Sequence, residues 1–106
     1  VTKPVRLDAF AEREASDAFA WYEARQAGLG ERFLERLART LAQIEQAPDA
    51  CSPVKGKFEA PVRSAPVERF PYRLVFVELP DRWRVIAVAH TSREPDYWLG
   101  RLDTPR

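Results

Sequence analysis

Two apolar stripes at helical spacing, separated only by Gly28-Leu29-Gly30, constrain this chain more than any other feature. Ala11, Ala15, Ala18, Phe19 and Tyr22 form the first stripe. Phe33, Leu37, Leu41 and Ile44 follow at i, i+4, i+8 and i+11, with Leu34 and Ala38 widening the second. Asp8 is placed to cap a helix that begins at Ala9. Gly28 closes that helix, since glycine accepts the left-handed backbone found just past a C-terminus, and Pro48 ends the second. Helices of this length joined so tightly fold back as an antiparallel hairpin. Their stripes cannot bury each other fully, so they require a sheet.

The second half supplies one. Residues 50–61 contain Pro53, Gly56 and Pro61 and read as a loop. Val62–Val67 is a short strand given edge character by Pro66. Arg73–Leu79 and Trp83–His90 are clearer strands, with Pro80-Asp81-Arg82 as the turn between them. Pro95 starts a short helical turn near the end. With Val5-Arg6-Leu7 as an initial strand, the order is β-α-α-β-β-β. This is an α+β domain with a helical hairpin on one face of a small, mostly antiparallel, twisted sheet. The first strand pairs with one of the later ones, a parallel arrangement being one option. A three-residue turn in the last hairpin sets Arg73 opposite Ala89 and His90 on the other sheet face. A two-residue turn sets Arg73 opposite His90 instead.

A chain of 106 residues accommodates one such domain, spanning 1–106. No window approaches the roughly 20 apolar residues of a membrane span. The stretch Val1-Thr2-Lys3-Pro4-Val5-Arg6 does not lead into a secretory signal. Cys51 is the sole cysteine, which excludes an intrachain disulfide and Cys-x-x-Cys metal sites and fits a reducing cytosol. No metal or other cofactor is expected. The net charge is only +1, but it is unevenly spread. Residues 1–50 carry seven Lys/Arg against nine Asp/Glu, and residues 51–106 carry ten against seven. An anionic partner is therefore expected to meet the second half of the chain.

Four segments in order along nearly the whole chain resemble the ParE/RelE superfamily of toxins from type II toxin–antitoxin systems. They are Trp21-Tyr22-Glu23, Gly28-Leu29-Gly30-Glu31-Arg32-Phe33, residues 69–76 (Arg-Phe-Pro-Tyr-Arg-Leu-Val-Phe) and residues 88–98 (Val-Ala-His-Thr-Ser-Arg-Glu-Pro-Asp-Tyr-Trp). The glycine-rich helix junction and Phe70-Pro71-Tyr72-Arg73 are more similar to the ParE-like, plasmid-stabilisation branch. The resemblance implies a cytoplasmic toxin that arrests growth by binding DNA gyrase, neutralised in a hetero-oligomer by a cognate antitoxin. A RelE-like endonuclease that cuts messenger RNA on the ribosome is the alternative. A toxin fold repurposed as a binding module is a third reading.

Metal-free RNA cleavage needs a base for the 2′-hydroxyl, cations for the phosphorane and an acid for the leaving oxygen. Lys55, Lys57, Arg63 and Arg73 are candidate cations. His90 is the only histidine and the natural acid–base candidate, while Tyr97 could stack on a base or donate a proton. By the RelE-like pattern, Lys55, Lys57, Arg73 and Tyr97 carry over most directly. Thr91, however, stands where that pattern calls for a cation, and Arg93 is offset, which favours the binding reading. For target binding the candidates are Arg63, Arg73, Arg93, Tyr97 and Trp98. For antitoxin binding they are Trp21, Trp83 and Trp98, tryptophan being enriched at interface hot spots as well as common in cores.

Overall fold

The computed structural model describes residues 3–103; Val1 and Thr2, at the start of the stretch read above for a secretory signal, and residues 104–106 lie outside them. The chain runs β1 (Val5–Leu7), α1 (Ala9–Arg25), α2 (Leu29–Gln46), a 3-10 turn at Pro48–Ala50, β2 (Ser52–Pro53), β3 (Val62–Val67), β4 (Tyr72–Glu78), β5 (Trp83–His90) and a second 3-10 turn at Leu99–Asp103. The five strands form one sheet in the order β1-β5-β4-β3-β2. β1 lies parallel to β5 and every other pairing is antiparallel. The expected α+β arrangement is the observed one, with β2 an addition inside the segment read as loop.

The helical hairpin forms where the stripes place it. Asp8 accepts from the Ala11 amide at 3.1 Å and starts α1. Ala11, Ala15 and Ala18 face the sheet, and their short side chains bring α1 close to β5. Gly28 has φ of 88° and stands before α2 rather than ending α1, whose last residue is Arg25. The Glu23 carboxylate reaches from α1 to accept from the Gly28 amide (2.9 Å) and the Gly30 amide (3.0 Å). It thereby satisfies two of the orphan donors at the start of α2. A Cβ at Gly30 would stand 2.7 Å from the Phe19 carbonyl oxygen, so glycine is what permits this close crossing. On α2, Phe33, Leu37 and Ile44 are buried, whereas Leu34 and Ala38 are exposed. The buried stripe turns through Thr40 instead. Its hydroxyl is satisfied by the carbonyls of Arg36 and Pro66.

Pro66 sits where β2, which pairs only with Arg63 and Ser64, no longer covers β3. Its missing N–H therefore leaves no gap in the ladder. The last hairpin has the first of the two expected pairings, Arg73 opposite Ala89, but reaches it by a two-residue turn and a bulge. The Leu79 amide donates to the Arg82 carbonyl at 2.8 Å, so Pro80 and Asp81 are the two central residues. A bulge then intervenes: Phe76 pairs with Val85 but Val75 pairs with Ala87, leaving Ile86 unopposed. Arg73 consequently faces Ala89, and Tyr72 faces His90. The extra residue lets both Ile86 and Ala87 point to the same side.

That side carries its own small core. Phe33, Ile44, Leu74, Phe76, Val85 and Val88 pack between helices and sheet. On the opposite face Val62, Val75, Val77, Ile86, Ala87 and Trp98 form a second cluster, flanked by Val54, Phe58 and Leu102. The far face is thus covered by the segment after β2 and the C-terminal tail. The β5 edge is closed differently. β1 pairs with it only as far as Val85. Beyond that, the Glu14 carboxylate accepts from the Val88 amide (3.0 Å) and Arg101 donates to the Ile86 carbonyl (2.9 Å). Arg84 is buried beside it, with its guanidinium on Asp8 and on the Arg101 carbonyl, both at 2.9 Å.

Candidate functional site

Five of the residues singled out from sequence meet around the C-terminal end of β5. Arg73 projects from β4, Ala89 and His90 end β5, and residues 91–98 wrap around them. The result is a cleft of about 240 Å³ lined by Arg73, His90, Arg93, Tyr97 and Trp98, among others. The wrap depends on Asp96, which adopts φ of 64°. Asp is one of the few side chains that enters this left-handed region readily. The chain therefore reverses there and sends Tyr97 and Trp98 in different directions.

Trp98 turns inward. It is 4% exposed and packs near Phe58, ring centroids 6.0 Å apart. As a solvent-facing anchor for target or antitoxin it is ruled out in this arrangement, because its indole already fills the second core. Tyr97 turns to the sheet edge, where its hydroxyl donates to Glu14 at 2.6 Å. Burial and that hydrogen bond push its ionisation well above the usual tyrosine range. Arg93 stacks over the Tyr97 ring, 3.7 Å from its centroid, and lies 3.6 Å from the Glu14 carboxylate. Arg101 completes the cluster with two contacts to Glu14, at 2.8 and 3.0 Å.

His90 is similarly committed. The Ser92 amide donates to its Nδ1 at 3.0 Å and the Ser92 hydroxyl lies 2.7 Å from the same atom. An amide can only donate, so Nδ1 is the acceptor and the proton of the neutral ring resides on Nε2. Its ring packs edge-on against Tyr72 at 5.0 Å. Arg73 donates through Nε to the Ser64 hydroxyl at 3.0 Å, with a further, longer contact to the Ser64 carbonyl at 3.4 Å. This holds the guanidinium along the cleft floor and leaves donors for a ligand.

The remaining candidates lie elsewhere. Lys55 and Lys57 are exposed on the segment after β2 and do not line the cleft. Arg63 sits on the helical side near Trp83 and donates to the Cys51 carbonyl at 3.0 Å. Trp83 packs against Phe76 and beneath Lys3, so it is half-buried structure. Trp21 is exposed, with Arg25 stacked 3.6 Å from the ring centroid. Among the described residues no three His, Cys, Asp or Glu side chains cluster as a metal would require. Glu14, Ser64, Ser92 and Arg101 escaped the sequence reading. Each matters only through a partner many residues away or through a turn whose shape the sequence does not spell out.

The site thus sits on a hairpin of helices packed against a five-stranded mixed sheet, with an arginine-lined cleft behind it. A solved chain described as "Chromosomal ParDE TA system from P. aeruginosa" superposes with a TM-score of 0.72 at 10% identity, over 85% of this chain and 97% of that one. The profile of the ParE toxin of the parDE type II toxin–antitoxin system matches residues 5–95, and the chain belongs to that family. No curated protein matches the sequence. No helix among the described residues is long and apolar enough to cross a membrane.

Proposed function

We propose that this ParE toxin arrests growth by binding DNA gyrase in the cytoplasm, without cutting RNA, and that a cognate antitoxin holds it inactive in a hetero-oligomer. One observation carries the binding reading: the side chains that acid–base chemistry would need already serve one another. Tyr97, the candidate acid, donates its hydroxyl hydrogen bond to Glu14 and ionises with difficulty. His90, the candidate base, has its free nitrogen occupied by Ser92. Lys55 and Lys57 are absent from the cleft lining. What remains is the Arg73 guanidinium, held by Ser64 with donors to spare, which suits recognition of a carboxylate or phosphate surface.

A supercoiling assay with purified gyrase tests this. Wild-type protein and His90→Ala are expected to inhibit equally and to accumulate cleaved DNA, whereas Arg73→Glu is expected to lose inhibition with its fold intact. Because Arg73, His90 and Tyr97 do share one cleft, the RNA-cleavage reading has its own test. Transcripts cut at discrete positions after induction, together with unimpaired gyrase, would replace the gyrase proposal.

A further inference from the structure

Ser64 and Arg73 stand on neighbouring strands, and the register makes them diagonal neighbours on the far face. Ser64 pairs with Val75 and Arg73 with Pro66, a spacing that a long side chain can span. Arg73 spans it with its Nε on the Ser64 hydroxyl and its Nη2 near the Ser64 carbonyl, at 3.0 and 3.4 Å. Both contacts use the side edge of the guanidinium, whose N–H groups lie in one fixed plane. The end edge, with one N–H from each Nη, keeps parallel donors that no described residue accepts. Ser64 is buried, so water does not compete for its hydroxyl and the fork is held from beneath.

Such a fork accepts a carboxylate or a phosphate, and the rest of the cleft separates the two. Its wall carries Glu94 and Asp96, neither of them ion-paired with a described residue. Arg93, the other lining cation, is drawn to Glu14. A DNA duplex presents a charge about every 1.7 Å along its axis. Seating one phosphate on Arg73 therefore brings its neighbours against those acids. An acidic side chain of a protein brings a single anion, and the residues beside it meet the apolar Val54, Val75, Ala89 and Pro95.

We infer that this cleft is a carboxylate subsite, which receives one aspartate or glutamate side chain of the gyrase protein and not a phosphate of its DNA. Ser64 is the positioning residue that turns the open edge of Arg73 toward that carboxylate. The inference rests on the reading that gyrase is the target.

Titrating the full toxin into DNA-loaded gyrase over a range of salt concentrations tests it. Arg73→Ala weakens binding by about 30-fold, the loss typical of an arginine hot spot. The dependence of log affinity on log salt keeps its slope, because a lost carboxylate contact involves no condensed counterions. A slope shallower by about one unit assigns the cleft to a phosphate and overturns the carboxylate assignment with gyrase still the target. Ser64→Ala weakens binding by about fivefold, the worth of one hydrogen bond, and adds nothing in the Arg73→Ala background. The NMR signal of the Arg73 Nε–H, protected from solvent in the wild type, exchanges rapidly in Ser64→Ala, while thermal melts show the variant folded. An equal loss from Ser64→Ala with and without Arg73 overturns the positioning role. Undiminished binding of Arg73→Ala overturns the subsite and leaves gyrase as the target. Failure of the wild-type toxin to bind gyrase removes the gyrase reading and this inference with it.

Discussion

Replacing Gly30 with alanine tests whether the helix crossing depends on close approach rather than on backbone freedom. The new Cβ would lie 2.7 Å from the Phe19 carbonyl oxygen, 2.8 Å from Phe19 Cδ1 and 3.0 Å from Glu23 Cβ. The Phe19 ring could turn aside, but the carbonyl belongs to α1 and moves only if the helices separate. Overpacking of this kind costs up to about 3 kcal/mol. Alanine returns roughly 1 kcal/mol through helix propensity. The net loss is then about 2 kcal/mol, and separation also lengthens the Glu23 bonds to the Gly28 and Gly30 amides. For a domain of this size that corresponds to a melting temperature lower by about 8 °C, measured by circular dichroism at neutral pH. Gly28 provides the contrast. Nothing lies near its Cβ position, and only its φ of 88° resists a side chain. Gly28→Asn should therefore be milder than Gly28→Ala, while Gly30 should tolerate neither substitution. A Gly30→Ala protein that melts at or above the wild-type temperature would refute the close-approach argument.

Two further outcomes are expected. Glu14→Ala removes the acceptor for the Val88 amide, the Tyr97 hydroxyl and Arg101; it should destabilise by about 2–3 kcal/mol. Hydrogen exchange at the Val88 amide should accelerate relative to the Leu74 amide, and unchanged Val88 protection would show that the tail does not depend on this carboxylate. All three tyrosines ionise above their usual range, Tyr97 furthest, chiefly through burial. A group whose folded pKa is raised contributes stability that is complete below its unfolded pKa, about 10 for tyrosine. That contribution declines as pH rises beyond it. Stability should therefore be flat on this account up to about pH 10 and fall above it. Phenolate absorbance should stay low until the chain unfolds, and Tyr97→Phe should reduce the alkaline slope. A normal phenolate titration in the folded protein would contradict the burial argument.

Much of this protein was determined locally. The capping Asp8, the two apolar stripes and the glycines between them dictate a helical hairpin, because each acts within a few residues of itself. The alternating apolar runs at Val62–Val67 and Trp83–His90 dictate strands for the same reason. The motifs around Phe70-Pro71-Tyr72-Arg73 and Pro95-Asp96-Tyr97-Trp98 carried enough of the family pattern to place the chain among the toxins. The site itself was decided by tertiary contacts. A single bulge at Ile86 places His90 on the Tyr72 side of the sheet and leaves Arg73 behind it, and no turn residue announces that bulge. Trp21 and Trp98 look alike in sequence, yet one stands in water and the other fills a core, because only the fold determines which side of the sheet the tail crosses. Glu14 reads as an ordinary surface carboxylate on a helix. It becomes the anchor of the tail because β1 is too short to cover β5, leaving backbone groups at that edge which only a side chain from another element can satisfy.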